Sequence, residues 1–155
     1  MTGGHQEKDK RAGTENVAGI VALGKACEIA KRDLEKNIEY LKSLRDYFIK
    51  LVEEKIEIAL FNGSKKLRVS GNSNFSFKGI DSQSLLLKLD EKGICVSSGS
   101  ACSEGNGKPS HVLKAIGLSD EEAKSAIRVT LGEENTKEDI DYLVESIIES
   151  IRELK

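Results

Sequence analysis

The chain has 155 residues, enough for one ordinary domain with a core of its own. It is 38% hydrophobic and 32% charged, which is the balance of a soluble globular protein. A net charge of −2 gives no electrostatic case for a nucleic-acid or membrane partner. No apolar run approaches the ~18–20 residues of a membrane span. Met1 to Gly13 is polar and carries no apolar signal core, so no secretory leader is expected. The three cysteines, Cys27, Cys95 and Cys102, are an odd number at spacings that suit no disulfide framework. A reducing cytoplasm is the expected compartment.

Residues 1–13 read as a polar, glycine-bearing loop. Thr14 offers a helix cap, with Asn16 close behind it. Val17, Ile20, Val21, Gly24 and Cys27 then recur at steps of three and four, and Leu34, Ile38, Leu41, Leu44, Phe48, Leu51 and Val52 extend the stripe. Residues 14–54 are expected to form one long helix or two abutting ones. Such length exceeds the average of ~3–4 turns and suits a helix between two domains or subunits.

After Lys55 the period changes. Ile56, Ile58 and Leu60 alternate with Glu57 and Ala59, a half-buried strand ending at Asn62-Gly63. Val69 to Phe77 is a second extended segment. Asp81 or Ser82 caps a short helix through Leu89, stopped by Gly93. Ile94-Cys95-Val96 reads as a brief strand. Val112 to Ile116 is a short helix, and Ser119 to Glu122 is a capping box. Ile127, Val129 and Leu131 alternate with Arg128 and Thr130, a strand with one core face. Thr136 and Asp139 start a last helix with a stripe of Ile140, Leu143, Val144, Ile147, Ile151 and Leu154. The expected fold class is α/β: a long N-terminal helix, then a small α/β sandwich of three or four strands, with helices on one face. The expected division is residues 1–55 and 56–155.

Between the third strand and the helix at Val112 lies a segment without large apolar side chains. From Ser97 to Gly107 it holds four serines, three glycines, Asn106 and Cys102. Glycine and serine favour turns over packing, so a surface loop bearing a thiol is expected. A thiol reacts as thiolate, and its ordinary pKa is ~8.5. Loop amides, Lys108 and His111 would favour the thiolate, while Glu104 would oppose it.

Other candidates each have a plainer alternative. Arg128, on the polar face of its strand, is either a solvated surface group or a bidentate carboxylate holder. Arg11-Ala12-Gly13-Thr14 is either a simple cap or an anion site at a helix N-terminus. His5 and His111 are the only histidines and read as surface groups. A zinc site from Cys95, Cys102, His5 and His111 has no recognisable ligand spacing.

Val96-Ser97-Ser98-Gly99-Ser100-Ala101-Cys102-Ser103 resembles the active-site loop of cysteine desulfurases, in the subgroup that supplies sulfur for iron–sulfur cluster assembly. Residues 3–17, from Gly3-Gly4-His5-Gln6-Glu7 to Gly13-Thr14-Glu15-Asn16-Val17, look like a segment of that family's large domain. Pro109 to Gly117 and Ile127-Arg128-Val129-Thr130-Leu131-Gly132 also agree in order and spacing. The resemblance covers essentially the whole chain. It implies a fold-type I, class V aminotransferase-like architecture, pyridoxal 5'-phosphate as cofactor, and a homodimer. It implies removal of sulfur from L-cysteine to give L-alanine and an enzyme persulfide.

By position, Cys102 would be the nucleophile and persulfide carrier, and also a transient iron–sulfur ligand. Arg128 would clamp the substrate carboxylate. Thr14 would reach the cofactor phosphate of the neighbouring subunit. The sulfur acceptor would be an iron–sulfur scaffold or another protein. In the resembled family the Schiff-base lysine lies upstream of the stretch that corresponds to Gly3-Gly4-His5. This chain therefore reads as a C-terminal portion, comprising the end of the large domain with an interdomain helix (1–55) and the small domain (56–155). Such a portion is expected to be inactive without a missing N-terminal part or second chain. A non-catalytic persulfide-carrying or scaffold-binding module and a selenocysteine lyase are the alternatives.

Overall fold

A computed structural model describes residues 3–99 and 109–155. The chain divides into two compact units, residues 1–36 and 37–155. A 39-residue helix, α1, runs from Val17 to Lys55 without a break. Its start is set by Asn16, whose Oδ1 accepts the Gly19 amide at 3.0 Å. Thr14 is therefore not the capping residue: it stands before the helix, and Asn16 satisfies one of the free N-terminal amides.

In the first unit, Val17, Ile20, Val21, Leu23 and Leu34 of α1 are exposed. In the second unit, Leu44, Phe48, Ile49 and Val52 of the same helix are buried.

The second unit continues with β1 (Ala59–Phe61), β2 (Asn72–Phe77), α2 (Ser82–Glu91), α3 (His111–Ala115), α4 (Asp120–Lys124), β3 (Ala126–Thr130) and α5 (Lys137–Leu154). The strands pair antiparallel in the order β1-β2-β3. β1 is shorter than the alternation of Ile56 to Leu60 implies. Ile56 still donates to the Val52 carbonyl at 2.9 Å and lies buried beneath the helix end, so pairing begins only at Ala59. The expected strand at Ile94–Val96 is also absent, and only Ser97 forms a bridge to Arg128. Among the described residues the sheet thus has three strands.

One face of the sheet carries Phe75, Phe77, Ile127 and Val129, packed with residues of α1, α2 and α5. Phe75 meets the Phe48 ring edge-on at 5.8 Å and the Phe61 ring at 5.1 Å. Edge-on aromatic contacts of this kind add ~0.5–1.5 kcal/mol to the gain from burial. The opposite face is covered separately, by Leu113 of α3 and Ala123 of α4 against Ala126. Helices therefore flank both faces, not one.

Gly71, just before β2, lies so close to the Leu131 backbone that an added Cβ would sit 2.7 Å from its carbonyl oxygen. The Gly71 carbonyl accepts the Leu131 amide at 2.8 Å.

The helix starts are chemically explicit. Ser119 with Glu122 and Thr136 with Asp139 each form a full capping box. Among the described residues, no helix is long and apolar enough to cross a membrane.

The caps have a consequence for pH. The backbone amide of Thr136 holds the Asp139 carboxyl below its ordinary range, and that of Ser119 does the same for Glu122. Lys92 lowers Glu149 and Lys114 lowers Asp120 through side-chain hydrogen bonds. Unfolded carboxyls bind protons more readily than these do. Their stabilisation is therefore complete above the unfolded values of ~4 and lost as pH falls through the folded ones. The melting temperature is expected to drop as pH is lowered from ~5 through the carboxylate range. Asp139→Asn should flatten that dependence, and Thr136→Ala should cost ~1 kcal/mol at neutral pH. A melting temperature that does not move across the window would remove this contribution.

Candidate functional site

Alternation along β3 sends Ile127 and Val129 into the main core and leaves Arg128 half-buried on the other face. On one side Arg128 is paired in register with Asn74 of β2. On the other it exchanges both backbone hydrogen bonds with Ser97, at 3.1 and 2.7 Å. The chain leaving Ser97 is then tied twice more. The Ser98 hydroxyl, in a residue only 8% exposed, accepts from Gln83 Nε2 of α2 at 2.8 Å. The Gly99 carbonyl accepts from Arg128 Nη1 at 3.0 Å. Gly99 has φ +74°, a conformation glycine adopts without the steric penalty of a Cβ.

Residues 97–99, the loop root, stand just before the segment of sequence that holds Cys102. Cys102 itself, with Glu104 and Lys108, lies outside the described residues. Arg128 and the loop root are thus brought together by geometry. The guanidinium carries five N–H donors in a planar fork, of which the Gly99 carbonyl takes one. A guanidinium with one donor on the loop root and no other side-chain bond among the described residues can also hold a carboxylate.

The polar neighbourhood of this face is organised from β2. Asn62, 5% exposed, donates to Asn74 Oδ1 at 2.7 Å and to Ser76 Oγ at 2.8 Å. Ser76 Oγ in turn donates to the Glu122 carbonyl at 2.7 Å. Asn74, opposite Arg128, is therefore held from the β1 side. His111 is exposed at the start of α3. Cys95 is an exposed free thiol, as is Cys27 in the first unit.

In the first unit Thr14 is exposed, beside Gly13 at φ +101°. Arg11 Nη1 donates to the Gly13 carbonyl at 2.9 Å, and Nη2 pairs with Glu15. Gln6 Oε1 accepts the Gly13 amide at 3.2 Å. This leaves a threonine hydroxyl exposed just ahead of a helix N-terminus, which is the donor chemistry a phosphate requires. His5 is exposed and bonded to Asp9 at 2.5 Å.

Gln83 and Ser98 were not singled out by sequence. Gln83 is one of several polar positions on α2, and Ser98 is one of several serines in a turn-like run. Only the burial of Ser98 distinguishes it, and burial there depends on the tertiary fold.

A half-buried arginine bonded to Gly99, on a small α/β unit, is consistent with the family comparisons. Residues 4–143 match the Aminotransferase class-V family, and the chain belongs to it. Within that family it is similar along its length to cysteine desulfurases. It is 51% identical over 153 residues to the cysteine desulfurase IscS of Dictyoglomus turgidum, covering 97% of this chain and 39% of that protein. Identity to the cysteine desulfurase IscS of Methanosarcina thermophila is 43%, covering 100% of this chain and 38% of that one. Among solved structures, the NifS-like protein of Rickettsia africae superposes with a TM-score of 0.82 at 32% identity, over 98% of this chain and 39% of that one. The chain thus spans about two fifths of the length of these relatives.

Gly99 offers a direct check on the loop root. Among the described residues nothing lies within 4 Å of a Cβ added there, so the cost of Gly99→Ala is set by its φ of +74°. The substitution should cost ~1–2 kcal/mol. Gly24→Ala, on a helix and likewise with nothing within 4 Å among the described residues, should gain stability instead. Equal melting temperatures for the two variants would contradict the left-handed backbone at Gly99.

Proposed function

We propose that the chain is the sulfur-accepting portion of a pyridoxal-phosphate-dependent cysteine desulfurase. Cys102 takes sulfur from L-cysteine and passes it, as persulfide, to an iron–sulfur scaffold or other acceptor protein. The observation that carries this reading is the Arg128 guanidinium bonded to the Gly99 carbonyl, three residues before Cys102. It supports the reading because a group suited to a carboxylate is bonded to a residue close in sequence to the thiol.

In this reading the substrate carboxylate is held by the Arg128 guanidinium, which orients the amino acid. Cys102, as thiolate, bonds to the substrate sulfur. The substrate carbon–sulfur bond breaks with its electron pair left on carbon, and a proton there completes L-alanine. The persulfide stays on Cys102. Thr14 donates its hydroxyl to the cofactor phosphate of the second subunit of a homodimer. Pyridoxal phosphate supplies, when bound, the electron sink that makes the substrate carbon tractable. The covalent anchor for it belongs to a part of the enzyme outside this chain, so the chain alone releases no sulfide from L-cysteine.

The test uses the three thiols as mutual controls. With a low-molecular-weight persulfide donor, Cys102→Ser should abolish labelling of the chain, while Cys27→Ser and Cys95→Ser should leave most of it. Equal labelling of all three variants would remove Cys102 from its role. Sulfide release from L-cysteine by the purified chain would overturn the need for a further part. Arg128→Lys, placed in an assembled enzyme, should raise KM for L-cysteine by at least ~10-fold, because a lysine offers no planar fork.

A further inference from the structure

We propose that Gln83 on α2 is a positioning residue for Arg128, acting through the loop root. Gln83 holds the Ser98 hydroxyl at 2.8 Å, the fixed Ser98 sets where the Gly99 carbonyl stands, and that carbonyl takes Nη1 of Arg128 at 3.0 Å. The consequence for substrate rests on the reading that Arg128 receives a carboxylate. The relay of contacts does not.

Three consecutive residues are tied by three different kinds of bond. Ser97 is held through its backbone, Ser98 through its side chain and Gly99 through its carbonyl. The Ser98 bond is the one that comes from outside β3. Ser98 is buried, and a buried hydroxyl without a partner is costly, so Gln83 does more than decorate the surface. An arginine side chain is long and rotates freely unless something fixes its plane. The Gly99 carbonyl is that fixture. Arrival of a carboxylate at the guanidinium and the position of the loop root are thereby coupled. A ligand that reorients Arg128 must either keep the Gly99 bond or release the root.

Amide-resolved hydrogen exchange and arginine modification by phenylglyoxal, both on the full chain, test the relay. Gln83→Met keeps the length and removes the hydrogen bond. It should speed exchange at the Ser97 and Arg128 amides by ~5–10-fold, and it should lower the melting temperature slightly, since the buried Ser98 hydroxyl loses its partner. Phenylglyoxal should modify Arg128 several-fold faster in that variant, while exposed Arg152 reacts at its original rate. Ser98→Ala should reproduce both effects without leaving an unpaired hydroxyl. Gln83→Glu, whose carboxylate accepts from Ser98, should restore the original rates.

Unchanged exchange at Ser97 and Arg128 in the Met variant would overturn the proposal. So would a Glu variant as fast as the Met variant, or acceleration spread evenly over Phe75 and Ile127. Failure of the two readings can be told apart. Persulfide labelling that ignores Cys102, together with an opened root in the Met variant, removes the desulfurase reading and leaves the relay. Normal labelling of Cys102 with an unresponsive root removes the relay alone.

Discussion

The register of β2 against β3 is the constraint on which the rest of the second unit depends, and Phe75 sets it. Phe75 is fully buried, packed edge-on against Phe48 and Phe61 and paired in register with Ile127. Side chains alternate along a strand, so a slip of one residue would turn Ile127 outward and Arg128 into an apolar core. Burying an unpaired guanidinium there is prohibitive. The aromatic packing on one face of the sheet thus decides the chemistry of the other. Ser97 then finds the free edge of β3 beside Arg128, and the loop root follows from that pairing.

Features that rest on neighbours in sequence were legible beforehand. The capping boxes at Ser119 and Thr136 and the stripe of α5 are written in short windows. The alternation from Ile127 to Leu131 likewise marked β3 and placed Arg128 on the polar face. What was not legible depends on partners far along the chain. The apolar run Ile94–Val96 has strand composition, but only Ser97 finds a partner edge. Ile56 has the period of a strand, yet it is claimed by the helix before it and the core beneath it. The second layer of helices was missed because α3 and α4 are short and offer few apolar residues.

The candidate site divides in the same way. Cys102 stood out by composition, as a thiol in a segment unable to pack, and Arg128 by its place in an alternating strand. The bond between Arg128 and Gly99 did not, because it uses a backbone carbonyl, and a backbone oxygen has no sequence signature. Thr14 suggested a cap, whereas Asn16 performs that task, and the hydroxyl is left exposed. A residue displaced from an ordinary structural duty is available for another. The exposed apolar positions Val17, Ile20, Val21 and Leu23 fit a chain that spans about two fifths of its relatives.

Gly71 matters for how this fold tolerates change. At that point backbone lies directly against backbone, because no side chain fits between Gly71 and the Leu131 carbonyl. All three of its nearest contacts are backbone atoms of Leu131, so nothing soft is there to yield. A library that diversifies the turn before β2 must therefore leave position 71 alone. The hinge of variation in this turn lies instead at exposed Leu67 and Val69, whose side chains are free to be replaced by polar ones.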